Sequence, residues 1–376
     1  MGPTIFAEMS ALAARTQAIN LGQGFPDSDG PASVSERAVA ALRGGENQYP
    51  PGLGRPELRE AIARHQDRHY GIALDPATQV VVTTGCTEAI AGALLGLVNP
   101  GDGVVVLEPY YDSYVAIIEF AGGVRRPVTL RAPDFRLDVD SLERAARGAK
   151  VMLLNTPHNP TGAVLSPAEL AAVAEVAIKH DLTVITDEVY EHVVFDEHQH
   201  VALASLPGML ERTLTLSSVG KSYSFTGWKV GWASGPAELV GAVTGVKQWL
   251  SYVSAGPLQS AVAHALDHEA PWPSHLAQQL QAQRDLLVSG LLDLGIPTRS
   301  PEGTYFAMSD ISSLEWASGK EFCLALPERA GVVAIPAQVF YDDQVEGHQL
   351  VRWAFCKQPE VIEQALERLG KASLHA

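Results

Sequence analysis

Lys221 stands in an unusual setting for a lysine, which is more often a solvated surface residue. It follows the apolar run at 213–216 and precedes Trp228 in a stretch of small and aromatic residues. Removal from water in such a setting would lower the pKa of the amine and make it nucleophilic. Ser218 and Lys229 flank Lys221 and are able to bind an anion. The segment therefore indicates covalent chemistry at an amine.

Asp187 ends a second apolar run, at 183–186, and is followed by Glu188 and Tyr190. A carboxylate at the mouth of a hydrophobic strand is costly unless it has a partner. A salt bridge would satisfy it. A cationic ring nitrogen would also satisfy it, and Tyr190 could then hydrogen-bond a phenolate oxygen. Because side chains alternate along a strand, we expect Glu188 to point to the other face.

Two turns of small or rigid residues follow further apolar runs. The segment 84–87 leads into a helix, whose free N–H groups would suit a phosphate, although an ordinary turn fits it equally well. No paired histidine can be argued for Cys86, so we expect a backbone contact rather than a nucleophile. The segment 155–162 has two X-Pro steps, which hold the amide of Asn159 on a rigid turn, while His158 is expected to be structural.

Arg352 lies inside the apolar run at 350–355. An arginine in such a run will be partly buried and needs a carboxylate or phosphate partner. That partner is either a carboxylate of the chain, in a structural ion pair, or an anionic ligand. The sequence leaves both alternatives open.

Runs of β-branched residues alternate with helical patterns between residues 80 and 235. Ser166, Pro167 and Glu169 give an N-cap, a first-turn proline and a capping-box acid, which predict a helix to about Lys179. Apolar strands separated by helices predict an α/β fold with a mostly parallel central sheet. Ligands of such sheets bind beyond the carboxyl ends of the strands. The predicted strands are 80–83, 104–107, 151–154, 183–186, 213–216 and 230–233.

The C-terminal part has a different pattern. A long helix presents a core-facing stripe of leucines, namely Leu276, Leu280, Leu287, Leu291 and Leu294. Strand-like pieces follow at 305–307, 332–334 and 350–353. A final helix starts after Pro359. We therefore expect a smaller α+β domain of residues 1–29 and 271–376, packed against a large domain of residues 30–270.

The composition limits the classes of function. The chain has 376 residues, 46% of them apolar and 19% charged, as is typical of a globular protein with a large core. The formal net charge of -16 argues against binding to nucleic acid or to an anionic membrane. Cys86, Cys323 and Cys356 match no disulfide or zinc pattern, so a reducing compartment fits. Without a signal peptide or a membrane-length apolar run, we expect a soluble cytoplasmic protein.

Taken together, the segments resemble the class I aminotransferases of the pyridoxal-phosphate (PLP) fold-type-I superfamily, from Asn20 to Lys357. Within that superfamily the chain is similar to the kynurenine, glutamine and methionine aminotransferase branch. It is more similar still to actinobacterial enzymes assigned as N-succinyldiaminopimelate aminotransferases, through 6–12, 47–52 and 250–253. The motifs that carry the resemblance are Asn20–Asp27, Asn47–Tyr49, Pro157–Gly162, Thr186–Tyr190, Gly220–Lys229 and Val351–Phe355.

This resemblance implies that PLP is the cofactor and assigns residues to its ring. Lys221 would hold PLP as a Schiff base and then move the proton between the substrate Cα and the cofactor C4′. Asp187 would keep the pyridine nitrogen protonated, which makes the ring an electron sink. Asn159 and Tyr190 would hydrogen-bond the 3-oxygen of the ring, and Tyr111 would stack on its face.

The resemblance also implies how the phosphate and the substrate are held. Tyr49 would reach the phosphate of the neighbouring subunit, so a homodimer with shared active sites is implied. Arg352 would bind the α-carboxylate of the substrate in a bidentate pair, helped by Gly24 and Asn159. An amino acid and a 2-oxo acid would be the substrates of two half-reactions that need no metal. The phosphate-binding residues within one chain would be Gly85, Cys86, Thr87, Ser218 and Lys229.

The sequence departs from the kynurenine branch near the expected side-chain pocket. That branch usually carries Phe-His-Cys-Pro where this chain has 252–257, and 223–225 also differs. A succinyl substrate would need a further cation, such as Arg15, to bind its distal carboxylates. The local aromatic residues instead favour neutral or aromatic substrates, so both substrate classes remain open. These aromatic residues are Phe25, Tyr110, Tyr223 and Phe225.

The sequence bears on three alternative functions. The segment 218–221 fits the S-x-x-K pattern of serine acylases, but the companion patterns S-D-N and K-T-G are absent. A non-catalytic regulator of the same fold would carry a basic DNA-binding domain, which neither the N-terminus nor the charge supports. β-Elimination from cysteine conjugates would use the same cofactor and stays open as a side activity.

Overall fold

The computed structural model describes residues 4–376. Its strands in chain order are β1 Ile19–Asn20, β2 Val80–Thr84, β3 Gly103–Glu108, β4 Val124–Thr129, β5 Ala149–Asn155, β6 Thr183–Asp187, β7 Thr213–Ser218, β8 Val230–Ser234, β9 Thr298–Arg299, β10 Phe306–Asp310, β11 Val332–Val333, β12 Ile335–Pro336 and β13 Leu350–Ala354. The helices up to the end of the central sheet are α1 Ile5–Thr16, α2 Ala32–Arg43, α3 Pro56–Tyr70, α4 Gly85–Leu97, α5 Asp112–Phe120, α6 Val139–Ala146, α7 Pro167–Lys179 and α8 Val219–Ser222. The later helices are α9 Ala237–Leu250, α10 Gly256–His268, α11 Trp272–Asp293, α12 Gly319–Arg329 and α13 Pro359–Lys371.

Seven strands form the central sheet, in the order β2-β8-β7-β6-β5-β3-β4. Neighbouring strands from β7 to β4 are parallel, whereas β8 runs antiparallel to both β2 and β7. The predicted mostly parallel α/β sheet is confirmed. Because β8 runs the other way, its first residue lies at the edge where β2 and β7 end. Polar residues just before β8 are thereby brought to the same edge as those that follow β5 and β6.

The edge strand β4 was not predicted. It contains Arg125, Arg126 and Pro127, which break the apolar pattern by which the other strands were identified. Charged residues and proline are tolerated at a sheet edge, since one side of such a strand has no ladder to complete. β4 pairs with β3 alone, so its polar composition follows from its position in the sheet.

The helix start predicted at Ser166 is confirmed in detail. The Ser166 hydroxyl accepts a hydrogen bond from the Glu169 N–H, and the Glu169 carboxylate accepts one from the Ser166 N–H at 2.8 Å. This capping box satisfies N–H groups that a helix otherwise leaves free at its first turn. Pro167 occupies the first helical position, and α7 ends at Lys179 as predicted.

The C-terminal part forms a four-stranded antiparallel sheet in the order β12-β13-β10-β9, beside a short parallel pair of β1 and β11. α11 buries Leu276, Leu280, Leu287 and Leu291, as the leucine stripe predicts, while Leu294 lies just past its end. The division into domains of residues 30–270 and of residues 1–29 plus 271–376 stays a prediction. Among residues 4–376, no helix has both the length and the apolar composition that a membrane span requires.

Candidate active site

A cavity of about 360 Å³ lies where β2, β5, β6 and β7 end and β8 begins. Phe306 of β10 and Arg352 of β13 line it from the four-stranded sheet. Segments far apart in the chain therefore meet at this edge, as the pattern of strands and polar turns predicts. The predicted site residues that line the cavity are Gly24, Gly85, Cys86, Thr87, Tyr111, Asn159, Asp187, Tyr190, Ser218, Lys221, Lys229 and Arg352.

Lys221 lies in the short helix α8, directly after β7. Its amine donates a hydrogen bond to the hydroxyl of Tyr305 at 2.7 Å and lies 3.4 Å from the carbonyl oxygen of Gly24. Burial lowers the pKa of Lys221 to about 8, since the protonated amine loses solvation in the cavity. An amine with that pKa is partly unprotonated near neutral pH. It can therefore act as a nucleophile.

Tyr305 contacts Lys221 and was not identified from the sequence. It is buried, and its hydroxyl also donates to the Gly24 carbonyl oxygen, so it connects Lys221 to the backbone of another segment. In the sequence it was interpreted only as part of an apolar strand. No local pattern marks it, because the contact depends on how the four-stranded sheet meets the central one.

Asp187 is the last residue of β6 and is 4% exposed. Its carboxylate accepts a hydrogen bond from the Tyr114 hydroxyl at 2.7 Å and one from the Cys86 thiol at 3.6 Å. Burial raises the pKa of Asp187, and these hydrogen bonds offset the effect in part. No cation forms an ion pair with this carboxylate in the part of the chain that the structure describes. The buried carboxylate is thus oriented by neutral donors and able to accept from a cationic group in the cavity.

The carboxylate neighbour Glu188 serves a different purpose. Its side chain forms a 2.9 Å contact with Nε2 of His200, and both side chains are buried. It does not line the cavity among the described residues, in agreement with the prediction that it points away from Asp187.

Tyr114 and Asn155 also position Asp187 and were missed from the sequence. The Asn155 amide donates to the Asp187 carbonyl oxygen at 2.8 Å, and its side-chain oxygen accepts from the Asn159 N–H at 2.8 Å. Asn155 thereby ties the end of β5 to the end of β6 and to the turn that follows. Asn155 begins the segment Asn155–Gly162, and this position could have identified it from the sequence. Tyr114 lies within a helix, where no sequence pattern sets it apart.

The side chain of Lys229 closely approaches the backbone of Gly85 at one end of the cavity. Gly85 has φ +68°, and a Cβ there would lie 2.9 Å from the Lys229 Nζ. The Lys229 amine lies 3.4 Å from the hydroxyl of Thr87, in the first turn of α4. In the described residues, Thr84 does not cap this helix with its side chain. Helix N–H groups, a hydroxyl and an amine therefore converge on a small space that suits an anion.

Arg352 lies in the middle of β13 and is 2% exposed. Its guanidinium donates to the side-chain oxygen of Asn159 at 3.1 Å and to the carbonyl oxygen of Gly22 at 2.9 Å. It also lies 4.0 Å from the ring centre of Phe306. Neither hydrogen-bond acceptor carries a charge, and Nε has no partner among the described residues. Arg352 is therefore a buried cation ready for an anionic ligand rather than half of a structural ion pair.

The thiol of Cys86 is not set up as a nucleophile. Burial and the neighbouring carboxylate of Asp187 both raise its pKa, so the thiol stays protonated. Tyr111 borders the same part of the cavity, and burial raises its pKa to about 12. Both side chains therefore line the cavity in their uncharged forms.

The structure corrects part of the predicted side-chain pocket. Phe225 lines the cavity and stacks on Trp228, with ring centres 4.0 Å apart. Tyr110 instead donates its hydroxyl to Asp342 at 2.6 Å, and Tyr223 is buried in a separate apolar cluster. Phe25 is half exposed beside the cavity rather than in its wall. These three side chains were expected in the pocket because their sequence neighbours are there, but their rings point elsewhere.

Two other predicted residues lie outside the cavity. Tyr49 is 80% exposed and packs edge-on against Tyr252, with ring centres 5.5 Å apart. Arg15 is an exposed residue of α1. Neither reaches the cavity of its own chain among the described residues.

Comparison with known proteins identifies the family. The profile described as aminotransferase class I and II matches residues 16–369. The chain belongs to this family. It is 51% identical to a probable N-succinyldiaminopimelate aminotransferase of Mycobacterium tuberculosis, over 98% of this chain and 95% of that protein. It is 40% identical to a methionine aminotransferase of Escherichia coli, over 98% of this chain and 96% of the relative.

A solved structure of the Mycobacterium tuberculosis N-succinyldiaminopimelate aminotransferase superposes on this aminotransferase with a TM-score of 0.96. The superposition covers 98% of this chain and 97% of that one, at 51% identity. The resemblance stated from the motifs is thereby confirmed, and so is the fold-type-I architecture. The protein is an aminotransferase of a family that uses PLP.

Proposed function

We propose that this aminotransferase binds PLP in the described cavity, with Lys221 as the residue that holds it covalently. The observation that carries the proposal is the arrangement of three groups around one cavity. These are an amine with a lowered pKa at Lys221, a buried carboxylate at Asp187, and a buried guanidinium at Arg352 that has no ion-pair partner among residues 4–376.

The residues present fit such a cofactor. The space left by Gly85, next to Lys229 and Thr87, suits the phosphate, and the carboxylate of Asp187 suits a protonated ring nitrogen. Tyr111 borders the cavity and would stack on the ring, while Tyr190 and Asn159 would hydrogen-bond its 3-oxygen. PLP, when bound, supplies an electron sink that stabilises negative charge at the substrate Cα.

The protein itself supplies binding and proton transfer. Lys221 would accept the proton from the substrate Cα and donate it to the cofactor C4′. The hydroxyl of Tyr305 lies within hydrogen-bond distance of the Lys221 amine. Ser218 and Cys86 would complete the phosphate site. Asp187 would keep the ring nitrogen protonated through its charge.

Arg352 would bind the α-carboxylate that all amino acid and 2-oxo acid substrates share. Its guanidinium is held in place by Asn159 and Gly22 and by the ring of Phe306, so little side-chain entropy is lost on binding. Gly24, on the same segment as Gly22, borders the cavity beside it. A bidentate pair at this position would orient the substrate for proton removal.

For the substrate, we propose N-succinyldiaminopimelate as the amino donor. The support is the 51% identity to a probable aminotransferase of that name and the TM-score of 0.96 to a solved one. The cations that line the cavity are Lys221, Lys229 and Arg352, and each already has a role. The distal carboxylates of succinyldiaminopimelate would therefore need a cation that does not line the cavity in the single chain.

A broader range of neutral and aromatic donors is the second candidate. Phe225, stacked on Trp228, gives the cavity an aromatic wall. The relatives at lower identity include methionine and kynurenine aminotransferases. β-Elimination from cysteine conjugates would proceed in the same cavity as a side activity.

We also propose a homodimer with shared active sites, in the cytoplasm. An exposed aromatic and apolar group, formed by Tyr49, Trp249, Leu250 and Tyr252, is 54–83% exposed in the single chain. Such a patch is unusual on a monomer and suits an interface between identical subunits. The free cysteines agree with a reducing compartment.

A transamination panel with the purified PLP-loaded protein tests the substrate proposal. Succinyldiaminopimelate, glutamate, glutamine, methionine, kynurenine and phenylalanine serve as donors, and kcat/KM is compared. A dominant value for succinyldiaminopimelate is the expected result. Similar values for methionine, kynurenine and phenylalanine, above that for succinyldiaminopimelate, would replace it with the second candidate. Failure with every donor would contradict both.

A further inference from the structure

Three histidines outside the cavity converge on one point. His65 and His69 lie one turn apart on α3, and His192 follows β6. One ligand atom from each lies within 4.8 Å of the other two. The ring centres are 4.5, 4.9 and 5.0 Å apart, so each ring is close to the other two.

We propose that His65, His69 and His192 form a binding site for a divalent transition metal ion, with zinc as the best-suited ion. Imidazole nitrogen is a preferred ligand of zinc, and three protein ligands with one open position are a common arrangement. The sequence predicts no metal for the amino-group chemistry. The site proposed here lies outside that chemistry and has a structural role.

The spacing on α3 supports the site. Residues four apart on a helix lie on the same face, which brings His65 and His69 together without strain. His192 approaches from the other side, and its Nε2 is 2.7 Å from Nε2 of His65. Two nitrogens on a tetrahedral zinc ion are about 3.4 Å apart, for bonds of about 2.0–2.1 Å. A rotation of either imidazole that moves its Nε2 by less than an ångström would widen the distance between the two nitrogens enough to admit the ion.

Among the described residues, the imidazole of His65 hydrogen-bonds only to His192. Within residues 4–376, Nδ1 of His65 has no hydrogen-bond partner. The ring can thus turn onto an ion and give up only its contact with His192.

The surroundings provide access and negative charge. His69 is exposed, so an ion can enter from solvent beside it and keep a water as its fourth ligand. The carboxylate of Glu191 accepts hydrogen bonds from Tyr70 and Ser217, both at 2.6 Å, and its charge acts on His65 and His69. A carboxylate near ligating histidines favours a bound cation.

The position suggests what the ion does. It would tie α3 to the turn after β6, a few residues from Asp187 and Tyr190. Among the described residues, none of the three histidines lines the cavity. A metal here would stabilise the fold and hold the turn, and the amino-group chemistry would not depend on it directly.

Metal titration of the untagged, PLP-loaded full chain tests the proposal. The protein is first dialysed against a chelator, then titrated with Zn²⁺, and bound zinc is counted by elemental analysis. We expect one zinc per chain. Co²⁺ in its place should give the visible absorption of a tetrahedral site, and saturating Zn²⁺ should raise the melting temperature.

His69→Ala is the decisive variant because an exposed side chain can be removed without harm to the fold. We expect its zinc affinity to fall at least about 100-fold, with no zinc-dependent rise in melting temperature. His268→Ala is the matched control, since His264 and His268 form another histidine pair one turn apart, on α10. It should bind zinc as the unaltered chain does. Absence of stoichiometric zinc, or equal binding by His69→Ala, would overturn the proposal.

Discussion

The hydroxyl of Tyr114 donates a 2.7 Å hydrogen bond to Oδ2 of Asp187 beneath the cavity. The thiol of Cys86 approaches the other carboxylate oxygen, at 3.6 Å. Helices α4 and α5 thus each contribute one donor to the same buried carboxylate. The two donors fix the orientation of the Asp187 carboxylate. The hydrogen bond from a cofactor ring nitrogen to this carboxylate would depend on that orientation.

Removal of the Tyr114 hydroxyl should therefore weaken cofactor binding. A hydrogen bond to a charged group contributes about 1.5–3 kcal/mol, so Tyr114→Phe should raise the Kd for PLP about 10- to 150-fold. PLP affinity is measured by titration of the apoprotein. Tyr341→Phe is the control, because the buried hydroxyl of Tyr341 has no partner among the described residues. Equal effects of the two variants would show that the Asp187 contact is unimportant.

Arg352 should contribute the same binding energy to every substrate. Arg352→Lys keeps the positive charge but loses the planar pair of donors, and we expect KM to rise at least about tenfold for all amino donors. Steady-state kinetics with donors of different side chains provide the measurement. A loss confined to one donor would assign Arg352 to side-chain recognition instead.

Cofactor capture by the apoprotein should depend on pH through Lys221. The unprotonated amine is the reactive form, and burial lowers its pKa from 10.5 to about 8. The rate of PLP incorporation should therefore rise with pH, reach half of its maximum near pH 8 and then level off. Burial raises the pKa of Tyr190 and Tyr305, so neither tyrosine titrates in this window. A rate that still climbs toward pH 10.5 would mean that the amine is solvated.

Hybrid dimers test whether the active sites are shared. One subunit carries Lys221→Ala and the other carries Tyr49→Ala, each with its own affinity tag. If Tyr49 serves the neighbouring site, one site is intact and the hybrid has about half of the wild-type activity per dimer. If Tyr49 serves its own chain, the hybrid has no intact site. Activity no higher than that of the Tyr49→Ala chain would then contradict the shared-site proposal.

The central sheet and its functional edge could be predicted from local patterns. Six apolar runs gave the strands, and the polar turns after them gave Asp187, Lys221 and the Gly85 turn. These residues are close in sequence to the strand ends that position them. Parallel strands bring such ends together whatever the details of packing, so the pattern alone was informative.

The remaining site residues depend on contacts between distant segments. Tyr305, which directly precedes β10, reaches Lys221, and Tyr114 reaches Asp187 from a helix. Tyr110 and Tyr223 were expected in the pocket, but their side chains turn to Asp342 and to a separate core. Ring direction follows from tertiary packing, which local spacing does not specify. The direction of β8 and the polar edge strand β4 are likewise set by the sheet as a whole.

Borohydride reduction of the PLP-loaded protein tests the central claim most directly. Reduction makes the link between cofactor and protein permanent, and peptide mapping then identifies the side chain. We predict that one cofactor is attached to Lys221, and that Lys221→Ala folds but retains no attached cofactor. Attachment to another residue, or to none, would contradict the account.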